Sequence, residues 1–164
     1  MNPSPKVLAA RKAIADLVSK NSMTLDTAVT LTDCWQVERP EQLSKKITNL
    51  MRRLNSRLFR RKFERHNIAL PVVSVIEGGG ATGKQIHAHL SMQRPTNMSL
   101  SDFEKVIDEC WTETNNGRRS RITVEEIYSD KWTGGYLSKD MRICNFENLD
   151  VPNFCTGIWR PYIV

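Results

Sequence analysis

Gln85-Ile86-His87-Ala88-His89-Leu90-Ser91-Met92 alternates polar and apolar residues, the period of a half-buried β-strand. Successive side chains on a strand point to opposite faces, so Ile86, Ala88, Leu90 and Met92 fall on one face and His87, His89 and Ser91 on the other. Both imidazoles therefore point the same way. Neutral imidazole is the commonest metal ligand, and two on one face form half of a binding site. The preceding residues 70–77, LPVVSVIE, are rich in valine and isoleucine and read as a second strand. The glycine run between them, Gly78-Gly79-Gly80-Ala81-Thr82-Gly83-Lys84, turns the chain back. In an antiparallel hairpin, Glu77 opposite Gln85 or His87 shares the histidine face unless a bulge intervenes. Glu77, His87 and His89 are thus the candidate metal ligands. Two imidazoles and a carboxylate leave coordination positions open, as catalytic rather than structural sites do.

The same glycine run fits the pattern GxxxxGK after a strand, close to a phosphate-binding loop. Two features exclude that reading. Gln85 has no hydroxyl for a magnesium ion, and strand-like alternation follows where a helix N-terminus would have to face the phosphates.

Downstream, Trp132-Thr133-Gly134-Gly135-Tyr136-Leu137-Ser138-Lys139 follows the capping candidates Ser129 and Asp130 and is expected to open a helix. Trp132, Tyr136 and Lys139 are spaced to share one helical face. Gly134 and Gly135 weaken that helix, which suits either close approach of another backbone or a frayed start.

With these segments in order, the chain resembles the HUH endonucleases that initiate rolling-circle replication of plasmids, phages and single-stranded DNA viruses. The stretches IHAHL, VIEGG and YLSK stand where that family has its histidine strand, a further ligand and its tyrosine helix. Val29-Thr30-Leu31-Thr32 is similar to a short strand that the family places beside the metal strand. The tyrosine follows the histidines, as in the replication initiators. Trp132 stands where two-tyrosine members have a second nucleophile, so the resemblance is to a single-tyrosine enzyme; Tyr128 reads as strand-end or core packing. The resemblance covers roughly residues 24–142. It implies a five-stranded antiparallel sheet of ferredoxin-like lineage, single-stranded or hairpin origin DNA as partner, a separate host helicase, and a cytoplasmic setting, most simply bacterial.

A tyrosine with a pKa near 10 is a poor nucleophile at neutral pH unless its anion or the developing phosphorane charge is stabilised. A divalent ion, Mg²⁺ or Mn²⁺, held by Glu77, His87 and His89 serves the second need, and Lys139 either steadies the phenolate or contacts the phosphate. Tyr136 is accordingly the expected catalytic nucleophile and Lys139 its catalytic partner. The product is a 5′-phosphotyrosine with a free 3′-hydroxyl. Two alternatives stand beside this one: a metal-dependent phosphoesterase that activates water, and a basic binding module without catalysis.

The composition suits a nucleic-acid partner. The 164 residues carry a net charge of +6 and suffice for one domain. Positive charge concentrates in residues 41–65, read as one long amphipathic helix, where Lys45, Lys46, Arg52, Arg53, Arg57, Arg60, Arg61, Lys62 and Arg65 accompany Leu43, Ile47, Leu50, Leu54, Leu58 and Phe63. Charge runs are usually solvated surface; in a basic domain with a phosphate-directed site they are also candidate DNA contacts. Of these, Lys45, Lys46, Arg52, Arg53, Arg57, Arg60 and Arg61 are the candidates, with Arg118, Arg119 and Arg121 of a second basic loop.

An N-terminal helix over residues 5–20 is too charged for a secretory signal or membrane span, which points to a soluble protein with no membrane partner. Ser101 and Glu104 fit a capping box for a helix whose stripe of Phe103, Val106, Ile107, Cys110 and Trp111 is core. Residues 121–127 read as a further strand. Cys34, Cys110, Cys144 and Cys155 lack metal-site spacing and read as reduced thiols. His66 caps carbonyls or faces water. Residues 143–164 are a tail without an assigned role. The fold class is α+β, one domain, with a central antiparallel sheet flanked by helices.

Overall fold

The computed structural model describes residues 24–33, 37–79, 85–127 and 150–158, together with positions 9, 12, 16 and 20. Tyr136 and Lys139, with the rest of the expected tyrosine helix, lie outside the described residues, as do Cys34, Cys144 and Tyr128.

The described residues form an α+β fold in which four strands make one antiparallel sheet: β1 (Thr27–Thr32), β2 (Val72–Glu77), β3 (His87–Met92) and β4 (Ile122–Glu126), in the order β2-β3-β1-β4. Four strands are present among the described residues where the resemblance implies five. The hairpin expected from residues 70–92 forms without a bulge, pairing Glu77 with His87, Ile76 with Ala88 and Val75 with His89. A strand rather than a helix follows the glycine run, as the argument against a phosphate-binding loop requires. The segment at 29–32 pairs with β3, Thr30 opposite His89 and Thr32 opposite His87. The histidine strand is thus interior and β2 lies at the flank. Beyond β2, Cys155 bridges to Val72 and Ile158 to Ile68, so the tail segment 150–158 is laid against that flank.

One sheet face carries Val29, Leu31, Val72, Ile76, Ala88, Leu90 and Met92, which join the core with helices α1 (Pro40–Phe59) and α3 (Leu100–Thr114). The histidines and Glu77 have the other parity. The helices therefore cover one face of the sheet and the candidate ligands stand on the opposite one. In α1 the buried residues Leu43, Ile47, Leu50, Met51 and Leu54 follow helical spacing, and α3 buries Phe103, Ile107, Cys110 and Trp111.

The expected single helix over 41–65 is in fact broken. At Arg60 the backbone takes φ 47°, and a short helix α2 (Arg61–His66) resumes with a new direction. The apolar pattern explains the break: at about 100° per residue a continuous helix returns to the same side after 18 positions, which would set Phe63 on the solvent side with Lys45. After the break, Phe63 packs against the core. The expected cap of α3 also shifts. Ser99, not Ser101, is the N-cap: its hydroxyl accepts from the Asp102 backbone N–H at 3.1 Å and donates to the Asp102 carboxylate at 2.7 Å, the same reciprocal spacing two residues earlier.

Two polar clusters tie the layers together. Lys46 Nζ donates to Asp33 Oδ2 at 2.5 Å and to Asn115 Oδ1 at 3.0 Å, joining α1 to the end of β1 and the C-terminus of α3. Buried Asp150 accepts from Ser44 Oγ at 2.6 Å, Ser74 Oγ at 3.1 Å and Asn153 Nδ2 at 2.7 Å. This second cluster anchors the tail segment to α1 and β2. No helix among the described residues is long and apolar enough to cross a membrane.

Candidate metal centre

The hairpin register positions all three candidate ligands. Glu77 and His87 are directly opposed, and His89 follows two residues along β3 on the same face, so the pleat alone brings the side chains together. The Nε2 atoms of His87 and His89 each lie 3.7 Å from the same Glu77 oxygen, Oε2. The two rings stand edge to face, their centroids 5.0 Å apart. One ligand atom from each of the three residues lies within 4.8 Å of the others. Each side chain is partly exposed, between 18% and 26%, so the centre opens to solvent while remaining set into the sheet.

The outer nitrogens show how the inner ones are aimed. His87 Nδ1 lies 2.9 Å from the Gln85 carbonyl oxygen. A carbonyl can only accept, so Nδ1 carries a proton, and in the neutral ring the lone pair on Nε2 faces Glu77. His89 Nδ1 is 3.1 Å from Thr30 Oγ1, across the β1–β3 ladder. With the Nδ1 proton donated to that hydroxyl, the second ring is in the same state. This matches the outer-shell pattern of metal-binding histidines, in which the remote nitrogen is tied to a carbonyl or another polar oxygen. Two ligand atoms bonded to one ion at about 2.0–2.2 Å are separated by at most about 4.4 Å. Both 3.7 Å separations from Glu77 lie within that limit, and the full set lies within 4.8 Å. The residues present therefore fit a divalent cation held by two nitrogens and one carboxylate, with coordination positions left open.

A groove of about 280 Å³ adjoins the centre on the same face, lined by Ala28, Thr30, Thr32, Arg121, Thr123 and Glu125 of β1, β4 and the residue before β4. Thr30 belongs both to this groove and to the support of His89. Arg121, expected in a basic loop, is thereby placed beside the metal face; Arg118 and Arg119 are exposed in the turn that precedes it.

The candidates on the helices divide. Lys46 is occupied by the buried Asp33, and Arg53 and Arg57 reach Glu113 and Glu109 of α3 at 2.6–3.2 Å. Their first job is to join α1 to its neighbours. Lys45, Arg52, Arg60 and Arg61 are exposed on the outside of the helical layer. His66 is also exposed, at the end of α2 and away from the metal centre. Cys110 and Cys155 are free and buried. Burial pushes the Cys110 thiol up from the ordinary 9.0 to about 11, against the pull of the nearby Arg57 guanidinium, so it is a protonated core residue rather than a nucleophile.

Sequence reasoning missed Thr30 and Asp33. The threonine had a signal, since its neighbour-but-one Thr32 continues a polar face of β1, but the register against β3 was not available from residues nearly sixty positions away. Comparison with family models, with curated proteins and with solved structures returns no match.

Proposed function

We propose that this chain is a metal-dependent endonuclease that nicks and rejoins single-stranded DNA at an origin of rolling-circle replication, through a covalent 5′-phosphotyrosine. The observation that carries the reading is the convergence of His87 Nε2 and His89 Nε2 on one oxygen of Glu77, with both remote nitrogens already engaged. Further support comes from the order of the sequence motifs, which continues to Tyr136 and Lys139, and from the groove with Arg121 at its rim.

In this reading Glu77, His87 and His89 hold a divalent ion, Mg²⁺ or Mn²⁺. When bound, the ion supplies Lewis acidity to a non-bridging oxygen of the scissile phosphodiester. Tyr136 gives up its phenolic proton and its oxygen attacks phosphorus; the bond to the 3′-oxygen breaks, and that oxygen takes a proton from solvent. Lys139 stabilises the phenolate by its charge. One phosphodiester replaces another, so the freed 3′-hydroxyl can prime synthesis, and a 3′-hydroxyl presented later can attack the phosphotyrosine, which closes the strand and releases Tyr136.

Incubation of the full chain with single-stranded oligonucleotides and Mn²⁺ tests the proposal. The expected result is a protein–DNA adduct that survives denaturant, is lost on chelation, and is absent from Tyr136→Phe and His87→Ala. Cleavage without an adduct that persists in Tyr136→Phe would replace the proposal with a water-activating phosphoesterase. Binding without cleavage would leave a nucleic-acid-binding module.

A further inference from the structure

The cations of the helical layer are on the wrong side of the sheet to serve the metal centre. Core residues of α1 and α3 pack on the face that carries Ala88 and Leu90, whereas His87 and His89 point away from it. A helix with its side chains is about 10–12 Å across, so the outer surface of α1 stands at least that far from the sheet, and the metal face lies beyond it. A strand bound at Glu77, His87 and His89 does not reach Arg52 or Arg61 without wrapping around the molecule.

We infer that the outer surface of α1 and α2 is a second nucleic-acid site, one that grips the backbone of duplex DNA while the opposite face handles a single strand. Arg52, Arg60, Arg61, Lys62 and Arg65 are all exposed, and among the described residues none of them forms an ion pair, in contrast to Arg53 and Arg57. Beside Arg52 lies a shallow groove of about 580 Å³ whose lining includes Arg53, Arg57, Glu64 and Glu113, three guanidinium groups against two carboxylates. From Arg52 to Arg65 the track is at most about 20 Å long at a helical rise of about 1.5 Å per residue. Over that length a duplex presents roughly a dozen phosphates, at one charge per about 1.7 Å. Four of the five cations are guanidinium groups, whose planar fork matches phosphate oxygens.

Duplex is favoured over single strand because, among the described residues, the patch carries no exposed aromatic ring to stack on a base. Proteins that hold single strands combine cations with exposed aromatic faces. Here Phe59 and Phe63 are partly buried against the core, and the exposed large hydrophobic among the described residues is Ile158, on the tail segment. Cations without aromatics contact phosphate and leave the bases alone, so the expected binding is indifferent to sequence.

The test uses the full chain, a labelled DNA duplex of about two helical turns, and anisotropy titrations at several KCl concentrations. Substituting Arg52→Glu, Arg61→Glu and Arg65→Glu together is expected to weaken duplex binding about ten-fold or more and to lower the salt slope by about 2.7, or 0.9 per phosphate contact. Mn²⁺ binding, read by calorimetry, is expected to be unchanged. His87→Ala is expected to do the reverse. A Gln version of the triple variant provides the same reading of the slope if the Glu version fails to fold by circular dichroism. The inference is overturned if the wild type does not bind duplex, if the triple variant binds it with unchanged affinity and slope, or if duplex binding is lost with His87→Ala. Because duplex and metal binding are read without cleavage, loss of the nuclease reading and loss of this one are separate outcomes.

Discussion

At the scale of single residues, the candidate metal centre depends on a side chain outside the ligand set. Thr30 holds the remote nitrogen of His89 from the neighbouring strand, and so decides both the direction of the ring and which nitrogen faces Glu77. Removing such a partner typically costs 10–100-fold in metal affinity. Thr30→Val, which keeps the shape and loses the hydroxyl, is expected to weaken Mn²⁺ binding about ten-fold, and Thr30→Ser to restore most of it. Calorimetric titration of Mn²⁺ into the two variants checks this. The ligands themselves were legible in the sequence because a period of two is enough to set His87 and His89 on one face, and a short turn is enough to bring Glu77 opposite. Their support was not legible. The resemblance set Val29-Thr30-Leu31-Thr32 beside the histidine strand, where it does pair, but the register that puts Thr30 opposite His89 is not written in the local pattern.

At the scale of elements, the hairpin turn is coupled to the chemistry it carries. Gly78 has φ 92°, and a Cβ there would stand 2.4 Å from the Gln85 carbonyl oxygen, the acceptor for His87 Nδ1. A methyl group at this position must displace backbone, not a yielding side chain. Gly78→Ala is therefore expected to destabilise the fold by about 2–3 kcal/mol and to weaken Mn²⁺ binding as well, because the support of His87 moves. At Gly79 the added Cβ would meet the Ile86 side chain at 3.1 Å, so Gly79→Ala should cost less at the metal centre although its φ of 79° is also strained. Urea titration of both variants, with and without Mn²⁺, separates the two effects. The hairpin and α3 were readable from periodicity; the break at Arg60 was not read, because residues 58–63 contain neither glycine nor proline. The displaced Phe63 was the available sign, since it sits out of step with the stripe from Leu43 to Leu54.

At the scale of the whole molecule, the fold is closed by a segment with no periodic signal. Asp150 is 5% exposed and accepts hydrogen bonds from three groups, two of them 106 and 76 positions away along the chain. Nothing local to residues 150–158 announces those partners, which is why the tail had no role in the sequence reading. Asp150→Ala would take the acceptor from the Ser44 and Ser74 hydroxyls and leave Asn153 Nδ2 only its bonds to Ser44, at an expected cost of about 3 kcal/mol. For a domain of this size that lowers the melting temperature by about 6–12 °C in a circular dichroism melt. Mn²⁺ affinity below the transition should be retained, because the cluster lies on the helical side of β2. The flanks of the sheet share one property. β4 joins β1 through Thr27 and Glu126, and the tail joins β2 through Val72 and Cys155, each across a long stretch of chain. The β2–β3 ladder closes over a short loop. Loop-closure entropy makes local pairings fast and distant ones slow, so refolding should assemble the hairpin well before either flank docks. A divalent ion present during refolding would meet the three candidate ligands on a nascent ribbon and act as a nucleating clamp before either flank docks.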